Sequence, residues 1–398
     1  MRLIALPGAL LGAFVIASAG CTAPPPPATT PITDGSTELL HEAMEVVTAT
    51  MIESITSPPV SSRTYSYASI AAYEVLRHGD AEYRSFAGQV NGLAPPPTPQ
   101  GTEHLPLAGL HAFLTVAEAL VFLPEPVAAE REALISQARA ERLDDSIIEA
   151  SLDYGEAVAT HILAWAAEDG IKAARAAPRL EIRREPGMWI PTPPAYMDPV
   201  EPNWGTIRPF ALDSPDQFRP IPPVGYDMSE GSEFYQLVQE VYQAGEQLTP
   251  EQREIAAFWD CNPFALESIG HMMVAAKKMS PGGHWIGISR IVLRDADASL
   301  LRTAEAYARV GMATSDGFIS SWDEKYHSIR IRPVTVIQQE IDPEWMPVLQ
   351  TPPFPEYTSG HSVISMAAAE VLTAMFGEEV SFRDDTEVPF GLPVRTFD

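Results

Sequence analysis

Cysteine is nearly missing from this chain: 398 residues hold two, Cys21 and Cys261. Internal disulfide stapling is excluded once a leader is removed, because only Cys261 remains. Basic residues are also scarce, 26 Lys and Arg against 53 Asp and Glu, for a formal charge of -27. That balance repels nucleic-acid phosphates, so no nucleic-acid partner is expected. Beyond the N-terminus no apolar run reaches the roughly 18–20 residues that span a bilayer. A glycine-rich phosphate loop, a cysteine cluster and a His-x3-His pair with a neighbouring Glu are all lacking, so no metal held by direct coordination is expected. Period-two alternation is too weak anywhere to be read as sheet.

What the chain does have is apolar content of 45% and strong helical patterning, enough for a large core in one domain or two interleaved halves. Helices are expected over residues 38–55, 65–77, 107–122, 126–142, 146–169, 232–244, 250–259, 266–278, 284–293 and 297–319, and again from Val363 to a stop at Gly377. The fold class is all-α. Three parts follow: a helical half over 37–176, a proline-rich cover over 177–230, and a second helical half over 231–398. Trp189, Tyr196, Trp204 and Phe210 punctuate the cover, which suits a segment packed over the helices rather than a free loop. Cys261 reads as a buried structural thiol. Gly282-Gly283-His284 reads as a turn before a helix, while Asp295, Asp297 and Glu305 read as solvated.

The N-terminus, MRLIALPGALLGAFVIASAGC, has a basic start, an apolar run of signal length and small residues before a cysteine. It resembles a bacterial lipoprotein signal over residues 1–21, with Cys21 as the lipid-bearing residue. The proline-rich stretch 22–36 then serves as a spacer. An exported protein of the bacterial cell envelope is expected, held to the membrane through an N-terminal lipid.

Two motifs near the C-terminal end carry chemistry. WDEKYHSIRIRP places Lys325 seven residues before Arg332-Pro333, and PEYTSGHS supplies Ser359-Gly360-His361. Thr358 or Ser359 is the expected N-cap of the last helix, whose first N–H groups favour an anion. Gly360 admits a ligand close to the backbone. Ser359 adds a hydroxyl, Lys325 a compact charge and Arg332 a planar fork that matches two oxyanion oxygens. His361 is the group able to move a proton near neutral pH. From Lys325 to Arg332 there is no acid, a local positive run on an acidic protein.

Lys-x6-Arg-Pro followed by Ser-Gly-His resembles the first two signatures of the vanadium-dependent haloperoxidase and type 2 phosphatidic acid phosphatase superfamily, which includes bacterial acid phosphatases. SSRTYSYASIAAYEVLRH, PTPPAYMDPVEPNWGTIRPF, FWDCNPF and GGHWIGI resemble its soluble bacterial haloperoxidase-like branch, so the likeness runs from about Thr37 onward. It implies a multi-helix bundle. It also implies that Lys325, Arg332, Ser359 and the Gly360 N–H hold equatorial oxygens of vanadate or phosphate, with His361 as acid–base. A third signature, an Arg ahead of a His that bonds vanadium or attacks phosphorus, does not follow. After His361 there is no histidine, and the arginines are Arg383 and Arg395. The expectation is a chain truncated before that motif, with His271, His284 and His327 as packing or surface residues.

Three functions are weighed on this basis. The first is a vanadate-dependent oxidation of halide by hydrogen peroxide, with Lys325 polarising the peroxide and His361 handling protons. A phosphate monoester hydrolase on the same cradle is the second. The third is a non-catalytic lipoprotein, since the chain lacks the third motif.

Overall fold

A helix with no exposed face organises the molecule: all 19 residues of α2 (Pro58–Leu76) are buried. Its small side chains allow neighbours close. Ser66 Oγ lies 3.0 Å from Ser315 Oγ of α10 (Leu300–Ser328). A Cβ on Gly311 of α10 would sit 3.0 Å from Ser66 Cα, so the two backbones nearly touch there. Sequence patterning starts α2 seven residues late, at Tyr65. Pro58 and Pro59 occupy the first helical positions, where a missing N–H costs nothing.

The computed structural model describes residues 31–32, 37–269 and 271–398. The leader, Cys21 and most of the spacer fall outside the described residues. Around α2 and α10 pack α1 (Thr37–Glu53), α3 (Leu105–Leu120), α4 (Glu125–Ala140), α5 (Asp145–Ala167) and α9 (Pro281–Asp295), which share one apolar core. Short α6 (Ile171–Ala176) leads into the cover. Then come α7 (Glu233–Glu246), α8 (Pro250–Phe258), α11 (Pro333–Glu340) and α12 (Gly360–Phe376). No helix among the described residues is long and apolar enough to cross a membrane.

The all-α class holds, with two corrections. The expected helix over 266–278 is instead an antiparallel hairpin, β1 (Leu266–Ile269) paired with β2 (Met272–Ala275). A four-residue apolar run cannot be told from a helix by periodicity, and a glycine opening a two-residue connection is a hairpin signal that outweighs it. A second hairpin, β3 (Phe382–Asp384) with β4 (Arg395–Phe397), forms where loop composition was read. Glu305 is a further correction. It is buried rather than solvated, and Arg302 and Arg309 both bond its carboxylate, at 2.6 and 2.9 Å. Gly282-Gly283-His284 is the first turn of α9 rather than a turn before it, capped by Ser280 Oγ.

The cover is ordered, as its aromatics suggest. Trp189 and Trp204 are buried, while Tyr196 is exposed. Asp316 of α10 accepts three successive backbone N–H groups of the cover: Phe210 at 2.6 Å, Ala211 at 2.7 Å and Leu212 at 3.0 Å. A Cβ on Gly205 would lie 2.7 Å from Asp323 Cα, so only glycine lets the cover lie this near α10. Replacing Asp316 by Ala should cost about 3 kcal/mol, because one buried and two part-buried N–H groups lose a charged acceptor. Urea denaturation checks it; a loss within about 0.5 kcal/mol, the range of surface substitutions, would show that the carboxylate anchors nothing.

Candidate oxyanion site

Helix α10 delivers Lys325 in its last turn, and that turn ends at Ile329 in the left-handed region, φ 46. Ile331 then pairs with the cover (Ile331 N to Gly187 O, 2.9 Å), as Trp189 N does with Ile329 O at 2.8 Å. Arg332 is the N-cap residue of α11, with Pro333 at its first position. The seven-residue spacing therefore spans a helix end, one strand-like step and a helix start. It turns both cations inward: Lys325 is 1% exposed, and both side chains line a cavity of about 1000 Å³.

Neither cation forms an ion pair among the described residues. The Lys325 ammonium donates to the carbonyls of Pro355 at 3.0 Å, Glu356 at 3.1 Å and Thr358. Arg332 Nε donates to Phe354 O at 2.8 Å, while its Nη2 is buried with no hydrogen-bond partner. The Phe354 ring lies 5.1 Å from Lys325 Nζ and 5.0 Å from the Arg332 guanidinium carbon, placing one π face near both. Burial pushes Lys325 well below the ordinary lysine range, and the Arg332 charge adds to this. Burial likewise pushes Arg332 down to about 10.

The second motif faces the same cavity. Ser359 caps α12 by accepting from Ser362 N at 3.2 Å, and Ser362 Oγ donates to it at 3.0 Å. The Ser359 hydroxyl proton is thus left to donate. A Cβ on Gly360 would meet nothing nearer than Trp322 Cζ3 at 3.9 Å, so protein packing alone does not demand glycine there. His361 is exposed on the cavity wall. Loss of water around it lowers its pKa from 6.5, opposed by the Trp259 carbonyl and Asp260, with His284 and Lys325 adding to the fall. Lys325, Arg332, Ser359, Gly360 and His361 therefore meet on one surface. The orphaned Arg332 Nη2, the free α12 N–H groups and the Ser359 hydroxyl fit a phosphate- or vanadate-shaped anion.

Other residues fall elsewhere. His327 is exposed, and Arg330 bonds Val224 O and pairs with Glu356 at 3.4 Å, so the positive run in sequence is not a patch in space. His271 is exposed and His284 buried, and neither lines the cavity. Arg383 is exposed and Arg395 pairs with Glu254 at 3.2 Å, so neither supplies the missing third arginine. Among the described residues, His361 is the one imidazole on the cavity wall. Sequence reasoning did not place Trp322, Trp259, Asp260 and Phe354 on that wall, although WD and FWDCNPF flag the first three.

A family model described as the VCPO second helical-bundle domain matches residues 305–394, which include both motifs. A crystal structure of a bacterial vanadium-dependent iodoperoxidase is 44% identical, with a TM-score of 0.85, covering 91% of this chain and 86% of that one. Two structures of bacterial vanadium-dependent chloroperoxidase, holo and apo, share 17% identity, with TM-scores of 0.58 and 0.59. They cover 82% of this chain and 79% and 81% of theirs, and show the fold alone. No curated protein matches. The chain belongs to the vanadium-dependent haloperoxidase family.

One consequence concerns His361. In the anion-free protein its ring should titrate below 6.5, and added phosphate should raise that value, because a nearby negative charge favours imidazolium. Proton NMR titration with and without phosphate reads both; a downward or absent response to phosphate would separate His361 from the anion site.

Proposed function

We propose that the cavity holds vanadate and that the protein uses it to oxidise a halide, iodide foremost, with hydrogen peroxide. The observation that carries this reading is the unpartnered, buried Arg332 Nη2 beside the α12 N-terminus, in a chain 44% identical to an iodoperoxidase. Bound vanadate would supply a Lewis-acid centre that activates peroxide.

The chain's own residues divide the remaining work. Arg332, the Ser359 hydroxyl and the Gly360 N–H would hold the anion's oxygens and stabilise their charge. Lys325, already bonded to the 355–358 backbone, fixes that segment and adds positive potential. His361, held towards its neutral form by lost hydration, is suited to take a proton from an incoming peroxide and return it to a departing oxygen. The aromatic wall of Trp322, Phe354 and Trp285 limits water around the reacting atoms. Among the described residues no histidine besides His361 lines the cavity.

Triiodide formation from iodide and peroxide should depend on added vanadate and saturate with it. Arg332→Ala should weaken vanadate binding about 10- to 100-fold, the worth of a charged hydrogen-bonding fork. His361→Ala should lower turnover by about 10²–10⁴-fold with a much smaller effect on vanadate affinity. Absence of vanadate-dependent oxidation of iodide, bromide and chloride would refute the proposal. Phosphate release from a monoester in place of that oxidation would move the cradle to a phosphatase.

The N-terminal segment lies outside the described residues, and we read Cys21 as its lipid-bearing residue. Labelled palmitate should enter the wild-type protein in a bacterial host and fail to enter Cys21→Ser. Equal labelling of both would remove the anchor.

A further inference from the structure

Beside the anion cavity, three unlike side chains converge from distant parts of the chain. Cys261 follows α8, His284 is in the first turn of α9, and Glu387 follows β3. All are buried, at 3%, 1% and 4% exposure. Cys261 Sγ lies 3.2 Å from His284 Nδ1, which is 3.7 Å from Glu387 Oε1. One ligand atom from each falls within 4.8 Å of the other two.

Two further observations point to a ligand. Glu387 Oε1 is buried with no hydrogen-bond partner, an arrangement native interiors avoid unless something satisfies it. On its far side, His284 Nε2 is 2.8 Å from Asp384 Oδ2. Thr386 N, at 3.0 Å, and Thr386 Oγ1 steady the other Asp384 oxygen. A carboxylate on Nε2 places the ring proton there and leaves the Nδ1 lone pair facing Cys261 and Glu387. This is the outer-shell arrangement that orients metal-binding histidines.

We propose that Cys261, His284 and Glu387 bind a divalent ion of the zinc class, with Asp384 orienting the histidine. One sulfur, one nitrogen and one oxygen make a donor set that zinc accepts, leaving a fourth position for water. Tetrahedral bonds of about 2.0–2.3 Å put ligand atoms roughly 3.3–3.8 Å apart. The separations of 3.2 and 3.7 Å need shifts of a few tenths of an ångström at most, and the Cys261–Glu387 pair, within 4.8 Å, closes by up to about 1 Å on binding. Cys261 also lines the large cavity, which offers the ion a route inward. This site is separate from the vanadate reading and is tested without vanadate.

The test titrates the full chain, stripped of metal, with Co²⁺ and then Zn²⁺. One Co²⁺ per chain should bind with a near-ultraviolet thiolate charge-transfer band, and Zn²⁺ should displace it and raise Tm. Cys261→Ala should abolish the band. Asp384→Asn should keep the band and weaken binding about 10- to 100-fold. Glu387→Gln, which mimics the protonated acid and so keeps the metal-free fold, should weaken binding at least tenfold. No thiolate band and no Zn²⁺-dependent rise in Tm in the wild-type protein would overturn the proposal. So would a band that survives Cys261→Ala, or unchanged affinity in Glu387→Gln.

Discussion

Two cations buried without a carboxylate partner are the constraint on which the rest of the site depends. Lys325 and Arg332 are held instead by backbone carbonyls and the face of Phe354. Neutral partners recover only part of the hydration that burial removes, and the depressed pKa of both groups expresses the shortfall. The α12 N-terminus adds further positive potential to the same wall. Everything facing the cavity therefore gains from a multiply charged anion, and the protein remains locally under-neutralised until one arrives. Overall negative charge does not contradict this: the acids lie largely on exposed surface, where solvent and salt screen them.

Holding that arrangement needs a cover whose backbone brings few unpaired N–H groups, even though the indole Nε1 atoms of its Trp189 and Trp204 are buried without a partner. A proline-rich segment suits the task because each proline removes one N–H that would otherwise need an acceptor. The remaining groups are placed deliberately. Asp316 takes three of them, the Ile329–Ile331 step takes others, and Val200 O receives both Trp322 Nε1 and Tyr326 OH. Cover and α10 thus constrain one another, and Gly205 sets their separation.

The motifs were legible in the sequence because their spacing is local: Lys325 to Arg332 spans one helix end, and Ser359 to His361 one helix start. Helix existence was legible for the same reason, since 3.6-residue periodicity is a short-range signal. The hairpin at 266–275 was not, because its apolar run fits either state until pairing decides. Glu305 was misread because its burial depends on how α10 packs against other segments, although its partners Arg302 and Arg309 lie one turn away on the same helix. Cys261, His284 and Glu387 were beyond reach altogether. They are 23 and 103 positions apart in sequence, and motif reading recognises ligands only at short, regular intervals. His361 was legible as an acid–base group, but its lowered pKa comes from the hydration lost when the cavity closes around it, opposed by Trp259 and Asp260 from another segment.

Lys325 shows how one residue serves both motifs. Its three ammonium protons reach three carbonyls of the segment that leads into Ser359, so it positions the α12 cap whether or not an anion is present. Arg332 differs: one nitrogen is anchored on Phe354 O and another is left without a partner. A planar fork can be fixed at one corner and still present donors at the other, which a point-charge ammonium cannot do with the same rigidity. The logic of the geometry is therefore a division of labour. The lysine builds the wall, while the arginine, with the helix N-terminus, keeps donors open to the cavity. Exchanging the two residue types would retain the charge while losing both the three-carbonyl post and the anchored fork.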